Sequence, residues 1–237
     1  MITSEKIKNL RIKTGAGMMD CKKALEETDG EIDGAVDWLR KKGISTAQKK
    51  SVRNASEGLI TISMDDNCAS IIEINSETDF VARNRDFQVF CKRISNLVVE
   101  KKIKSISEIN EIRMNDSSMK VKDELTSMVS KVGENLVIKR LKYISGSGVY
   151  VQKYIHNSAN DDSGKIGVVL CYSCNDNTSD QQNFAKNICM HIAATDPKSM
   201  TSDNLDKSIV EREKNIFLEQ MKDSGKPREI VEKIIVG

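Results

Sequence analysis

The sequence predicts an α+β fold, and three features of its 237 residues lead there. Apolar residues recur at helical spacing up to about residue 43, then switch after Gly58 to short runs with the character of paired strands. Glycine and small polar clusters separate the runs and supply turns. Hairpins separated by helices occur twice, which implies two related α+β units with antiparallel sheets.

The first 43 residues read as a three-helix module. Ser4 can cap a helix carrying Ile7 and Leu10; Thr14-Gly15-Ala16-Gly17 breaks it; Met18 to Glu27 forms a second helix; and Asp29-Gly30 turns into a third. The third carries Ile32, Val36 and Leu39 on one face, with Ala35 and Trp38 beside it. So short a segment builds a marginal core, and it is expected to be small and tethered. Residues 44–57 are short on large apolar groups and read as an exposed, partly helical linker. The basic excess at this end could meet an acidic partner, although on helices such charge is usually a solvated face.

Strands follow. Leu59 to Met64, a turn at Asp65-Asp66-Asn67, and Ala69 to Ile74 form a hairpin. Val81, Phe87, Phe90, Ile94 and Leu97 then mark a helix, and the lysine-rich stretch from Glu100 to Ser118 reads as looser. Val121, Leu125, Met128, Val129 and Val132 give another amphipathic helix, stopped at Gly133. Beyond it come Leu136 to Ile144, a turn at Gly146-Ser147-Gly148, Val149 to His156, a polar loop from Asn157 to Gly164, and a strand from Ile166 to Cys171. These elements define a core N-subdomain at 58–140 and a core C-subdomain at 141–200.

A helix from about Asp180 to Ala194 ends before Asp196-Pro197, because proline disfavours helical geometry in the residue before it. Residues 201–237 carry two apolar sets separated by Asp223-Ser224-Gly225-Lys226-Pro227. That arrangement reads as a helical hairpin, either a protruding arm or packed on its own domain.

Composition narrows the function. Thirty-seven Lys and Arg against thirty-five Asp and Glu nearly cancel, which separates the chain from disordered tails and obligate nucleic-acid binders. The N-terminus lacks the apolar run of a signal peptide, no later run reaches membrane-spanning length, and the cytoplasm is the expected compartment. Six scattered cysteines fit buried thiols better than a disulfide framework. An enzyme reading would start from Cys171-Tyr172-Ser173-Cys174 with Cys189 and His191 as a zinc or redox site, but the spacing supports neither a metal site nor a thioredoxin motif. An adaptor reading would make the helical module a ubiquitin-like or RNA binder, with Lys49-Lys50-Arg53 as basic contacts. Aromatic residues are too sparse for a stacking platform, and no Walker loop is present, so neither nucleic acid nor GTP is expected to bind directly. No cofactor and no metal are expected.

Taken alone, Thr78-Asp79-Phe80-Val81 is a well-formed helix start, with Thr78 or Asp79 as cap and Phe80 packed beneath. Its surroundings change that reading. Leu10-Arg11 and the run from Thr14 to Leu25, Glu77 to Asn84, Gly133-Glu134-Asn135, Gly164 to Val168, Met190 to Ala194, and Ser224-Gly225-Lys226-Pro227 together resemble the bacterial elongation factor Ts family over essentially the whole chain.

The resemblance implies an N-terminal domain similar to ubiquitin-associated domains, a core of two α+β subdomains, and a coiled-coil arm. It implies a non-enzymatic guanine-nucleotide exchange factor that binds elongation factor Tu, both GDP-bound and nucleotide-free. Thr78, Asp79, Phe80 and Val81 match the exchange loop, which approaches the magnesium and phosphate site of the partner. Phe80 would be the wedge, Thr78 and Asp79 would hold the loop, and Val81 would begin its supporting helix. Arg11, Met18 and Met19 match contacts to the partner's nucleotide domain; adjacent methionines cannot both face one side of a short helix, so one is expected to be exposed. His156 and His191 match contacts to another domain of the partner, and as single histidines each stays open to a structural role. Familiar bacterial members continue past the equivalents of Ile234-Ile235-Val236-Gly237. The second subdomain is therefore expected to be incomplete, in a naturally brief chain or a shortened one, and to expose a sheet edge.

Overall fold

The computed structural model describes residues 2–221, which divide into two compact units at Ala193/Ala194. The first begins with α1 (Ser4–Thr14), α2 (Met18–Glu26) and α3 (Ile32–Lys50). Thr3, not Ser4, caps α1: its backbone is extended, and its hydroxyl accepts the Lys6 N–H at 3.3 Å. Gly15 ends the helix with a left-handed φ of 69°. Leu10, Cys21, Ala24, Leu25 and Ala35 are buried together, and Ile7, Ile32, Val36 and Leu39 pack around them.

Helix α3 differs from the expected linker by running on to Lys50. Its second half packs against α7 (Val121–Val132), and the contact uses small residues. A Cβ at buried Gly43 would stand 2.9 Å from the Ser130 hydroxyl, and Ala47 lies against the main core. Close packing through glycine and alanine leaves no large apolar side chain in the sequence to advertise a buried face. The module is therefore joined to the core by a packed helix.

Strands β1 (Glu57–Asp65), β2 (Cys68–Ser76), β3 (Val137–Ser145), β4 (Tyr150–Asn160) and β5 (Ser163–Tyr172) form one antiparallel sheet in the order β3-β2-β1-β5-β4. The two strand groups meet at a short seam, where Ile60 pairs with Gly164 and Thr61 with Ser163. The Thr61 and Ser163 hydroxyls are buried there 2.9 Å apart, so each satisfies the other. The polar loop expected at 157–164 is largely strand, because β4 and β5 extend to a tight turn at Asp161-Asp162.

Helix α5 (Arg85–Lys101) covers β1 and β2, burying Phe87, Phe90, Cys91, Ile94, Leu97 and Val98. Ser70 donates its hydroxyl to the Ser95 carbonyl at 2.8 Å, and Ser63 donates to Asn96 at 2.7 Å, fixing the helix on the sheet. The stretch expected to be loose contains α6 (Ile106–Glu111) and buries Ile103, Ile109 and Met114. These apolar residues lie too far apart among lysines and serines to show a period. Helix α8 (Ser179–Thr195) buries Ala185 and Cys189. In the second unit, α9 (Lys207–Met221) is the first helix of the expected hairpin; the break at 223–227 and the second helix lie outside the described residues. No helix among the described residues is long and apolar enough to cross a membrane.

Candidate functional site

Between β2 and α5 the chain makes one short helix, α4 (Asp79–Arg83). The single helix expected across this stretch is broken at Asn84, whose N–H closes α4 on the Val81 carbonyl. Its side chain then accepts the Asp86 and Phe87 N–H groups at 2.8 and 3.2 Å and starts α5. Val81 and Ala82 are buried in the main core. Phe80 is not packed beneath the helix: it is 77% exposed. An exposed phenylalanine on a turn whose next two residues are anchored is a presented side chain, not a frayed one.

Thr78 occupies the N-cap position with extended backbone, yet makes no capping hydrogen bond. Its N–H and hydroxyl both go to the Glu134 carboxylate, at 2.9 and 2.6 Å. Asp79 likewise does not cap; it is the first residue of α4 and pairs with Arg83 at 2.7 Å. The supporting helix begins at Arg85, and Val81 serves as the buried anchor of α4.

Glu77 and Asn135 repeat the Thr78–Glu134 arrangement in the opposite sense, the Glu77 carboxylate accepting the Asn135 N–H at 2.6 Å. Arg53 lies 3.6 Å from the same carboxylate, and the Asn135 side chain donates to the Arg53 carbonyl at 2.8 Å. Gly133 ends α7 at φ 79°, turning the chain so that Glu134 and Asn135 face this loop, and Lys50 donates to the Gly133 carbonyl. The Gly133-Glu134-Asn135 signature was visible in the sequence; its contact with Glu77-Thr78 was not.

At the start of the chain, Arg11 is exposed at the end of α1, and Met18 and Met19 are both exposed, at 60% and 73%. The expectation of one exposed methionine falls short because Cys21, Ala24 and Leu25 fill the core side of α2. Ile12, an apolar residue that the sequence did not single out, is also exposed beside Arg11. His156 is exposed on β4 with Nδ1 3.0 Å from the Tyr154 hydroxyl, and His191 is exposed on α8. The candidate residues thus fall into three groups: the α4 turn, the α1–α2 junction, and the β4 and α8 surfaces.

A groove of about 340 Å³ lies between the helical module and α7, lined by Lys13, Arg40, Lys42 and Lys131 among others. Its cations are matched: Arg40 with Asp123 at 3.7 Å, Lys42 with Asp20 at 2.5 Å, Lys131 with Asp86 at 2.6 Å and Lys13 with Asp33 at 2.9 Å. Among the described residues no group of three or more His, Cys, Asp or Glu is placed to hold a metal ion.

Comparison with known proteins shows the family of the chain. Residues 77–237 match the family model described as Elongation factor TS. The chain is 41% identical over 236 residues to Elongation factor Ts of Sinorhizobium fredii, covering 100% of this chain and 76% of that protein. It is 42% identical over 237 residues to Elongation factor Ts of Dinoroseobacter shibae, covering 100% of this chain and 77% of the other. Elongation factor Ts of Rhizobium meliloti is 40% identical over 236 residues, with 100% and 76% covered.

Proposed function

Because the chain belongs to the elongation factor Ts family, whose members are translation elongation factors, we propose that it is a guanine-nucleotide exchange factor that releases GDP from elongation factor Tu. The observation that carries this reading is Phe80, 77% exposed on a short helix whose neighbours Val81 and Ala82 are buried. A ring so presented can enter an apolar gap in the partner, and its full burial is worth about 1.5–3 kcal/mol. Spent on the partner's distorted state alone, that energy opposes the magnesium and phosphate contacts that hold GDP.

Asp79 is not a metal scavenger in this mechanism. Its carboxylate is engaged by Arg83, and a lone carboxylate suits magnesium poorly, since the ion prefers octahedral oxygen ligands including several waters. Shifting the partner's metal-binding elements is sufficient. Factor and nucleotide then weaken one another reciprocally on the same G protein, the ternary complex loses either one faster, and no covalent step occurs. The cellular excess of GTP sets the direction.

Arg11, Met18 and Met19 supply the contact to the nucleotide domain, with methionine's flexible thioether suited to an adaptable surface. His156 and His191 supply a second contact to another domain. The protein itself binds no nucleotide and works in the cytoplasm.

The test is the release rate of fluorescent GDP from elongation factor Tu with the parent and with Phe80→Ala. The parent is expected to accelerate release strongly, and Phe80→Ala to lose most of the acceleration. Equal acceleration by both would remove Phe80 from the mechanism; no acceleration by the parent would remove the exchange function.

A further inference from the structure

We propose that Glu134 is a positioning residue for exchange, holding α4 so that Phe80 meets the partner in one fixed orientation. The inference rests on the reading of Phe80 as the wedge. It starts from a deficiency in α4, a helix of five residues, Asp79–Arg83. So short a helix has almost no stability of its own, and its first N–H groups find no partner within it. The N-cap side chain does not supply one either, because the Thr78 hydroxyl is turned toward Glu134.

The restraint comes from another part of the chain. The Glu134 carboxylate accepts both Thr78 donors, at 2.9 and 2.6 Å, while the Glu77 carboxylate accepts the Asn135 N–H at 2.6 Å. Two neighbouring dipeptides therefore clasp each other with carboxylates pointing in opposite directions. Attachment at two points blocks the rotation that one hydrogen bond would leave free. Bonds to an ionised carboxylate are also the stronger kind.

The far side of the clasp is itself fixed. Asn135 is buried and bonded to the Arg53 carbonyl, Lys50 holds the Gly133 carbonyl, and α7 packs on α3. A wedge needs such backing. If α4 tilts when the ring meets resistance, the ring's binding energy goes into moving α4 instead of distorting the partner. Glu134 touches neither ring nor partner in this scheme; it acts through Thr78.

Docking through Arg11, Met18 and Met19 does not pass through the clasp, so its loss is expected in the maximal rate and not in apparent affinity. Fluorescent GDP release from elongation factor Tu is followed against factor concentration for the parent, Glu134→Ala, Glu134→Gln, Phe80→Ala and Phe80→Ala/Glu134→Ala. Glu134→Ala is expected to lower the saturating rate about tenfold, and Glu134→Gln, which keeps an acceptor oxygen, about threefold. The half-saturating concentration should move less than about twofold in both. In the Phe80→Ala background, Glu134→Ala should add less than about twofold, since there is no ring left to position. A full tenfold loss on top of Phe80→Ala, a loss confined to half-saturation, or no loss would each overturn the proposal. Should Glu134→Ala fail to fold, Glu134→Gln carries the same criteria, with Phe80→Ala/Glu134→Gln as its double. Parental activity in Phe80→Ala alone would instead defeat the wedge reading, and is seen without any Glu134 variant.

Discussion

Phe80 and Val81 are consecutive in the chain, yet the first is 77% exposed and the second 6% exposed. A helical turn places neighbouring side chains about 100° apart, so one faces outward while the other enters the core. With Phe80 as the proposed wedge, function and stability are expected to separate at adjacent positions. Phe80→Ala is expected to leave chemical denaturation unchanged within about 0.5 kcal/mol, while Val81→Ala costs about 2 kcal/mol through lost burial and a cavity. Comparable destabilisation by both would show that the ring also supports the fold.

Much of this arrangement was legible in the sequence where burial is periodic. The face of α5 from Phe87 to Leu97 and the hairpin of β1 and β2 follow directly from apolar spacing. The merging of the strands into one sheet was not legible, because it depends on two distant residue pairs at Ile60 and Thr61. The continuation of α3 was hidden because Gly43 and Ala47 make its contacts. The break at Asn84 left a trace in the apolar spacing: Val81 falls on the opposite side of a continuous helix from Phe87, Phe90, Ile94 and Leu97, so burying all five requires two helices. At the site, the Thr78–Asp79–Phe80 motif was visible, but the bond from Thr78 to Glu134 joins polar residues, which carry no period.

The α3–α7 contact makes a specific expectation about Gly43. Replacing glycine by alanine inside a helix ordinarily stabilises by about 0.5–1 kcal/mol. Here the new methyl would lie 2.9 Å from the Ser130 hydroxyl, whereas Ser130 Cβ is 3.9 Å away. Gly43→Ala should therefore deliver its full gain only in a Ser130→Ala background. Urea unfolding of the two single variants and the double variant checks this; equal gains in both backgrounds would mean that the helices separate freely at this point.

Asp162 gives a pH signature. It lies at the β4–β5 turn, paired with Lys92 at 2.7 Å and also with Lys153. Burial pushes its carboxyl upward, but the hydrogen bonds from Lys153 and Lys92 outweigh that and hold it below the usual range. A depressed carboxyl contributes stability above its unfolded value of 3.8, and the contribution fades as pH falls through the folded value. Asp162→Asn is expected to lower the melting temperature by about 2–4 °C at pH 7. The difference from the parent should shrink from about pH 5 downward. A constant difference across that range would mean that the side chain matters for shape rather than charge.

Thiol chemistry distinguishes the cysteines. Cys91 and Cys189 are buried, and burial pushes Cys189 up to about 11 against its backbone hydrogen bonds. Cys171 and Cys174 are half-buried. Iodoacetamide at pH 8, followed by peptide mass spectrometry, should modify Cys171 and Cys174 at least about tenfold faster than Cys91 and Cys189. The thiolate is the reacting form, so labelling of Cys189 should climb by about tenfold per pH unit between 8 and 10, where an ordinary thiol levels off. Levelling near pH 9 would show that Cys189 reacts from an opened state.

Met18 and Met19 test whether the proposed docking and wedging are separate functions of one molecule. Both are exposed, and the buried residues of α2 are Cys21, Ala24 and Leu25, so their removal takes nothing from the module's core. Met18→Ala/Met19→Ala is expected to melt with the parent. Two exposed thioethers buried against a partner are worth about 1–2 kcal/mol together, allowing for incomplete burial, which corresponds to a roughly tenfold weaker association. Because Phe80 and its clasp are untouched, the saturating rate of GDP release should stay within about twofold while the half-saturating concentration rises about tenfold. This is the reverse of the pattern expected for Glu134→Ala. A loss of saturating rate in the methionine variant would mean that the α1–α2 junction drives release itself, making the protein a factor with two wedges instead of one wedge and a handle.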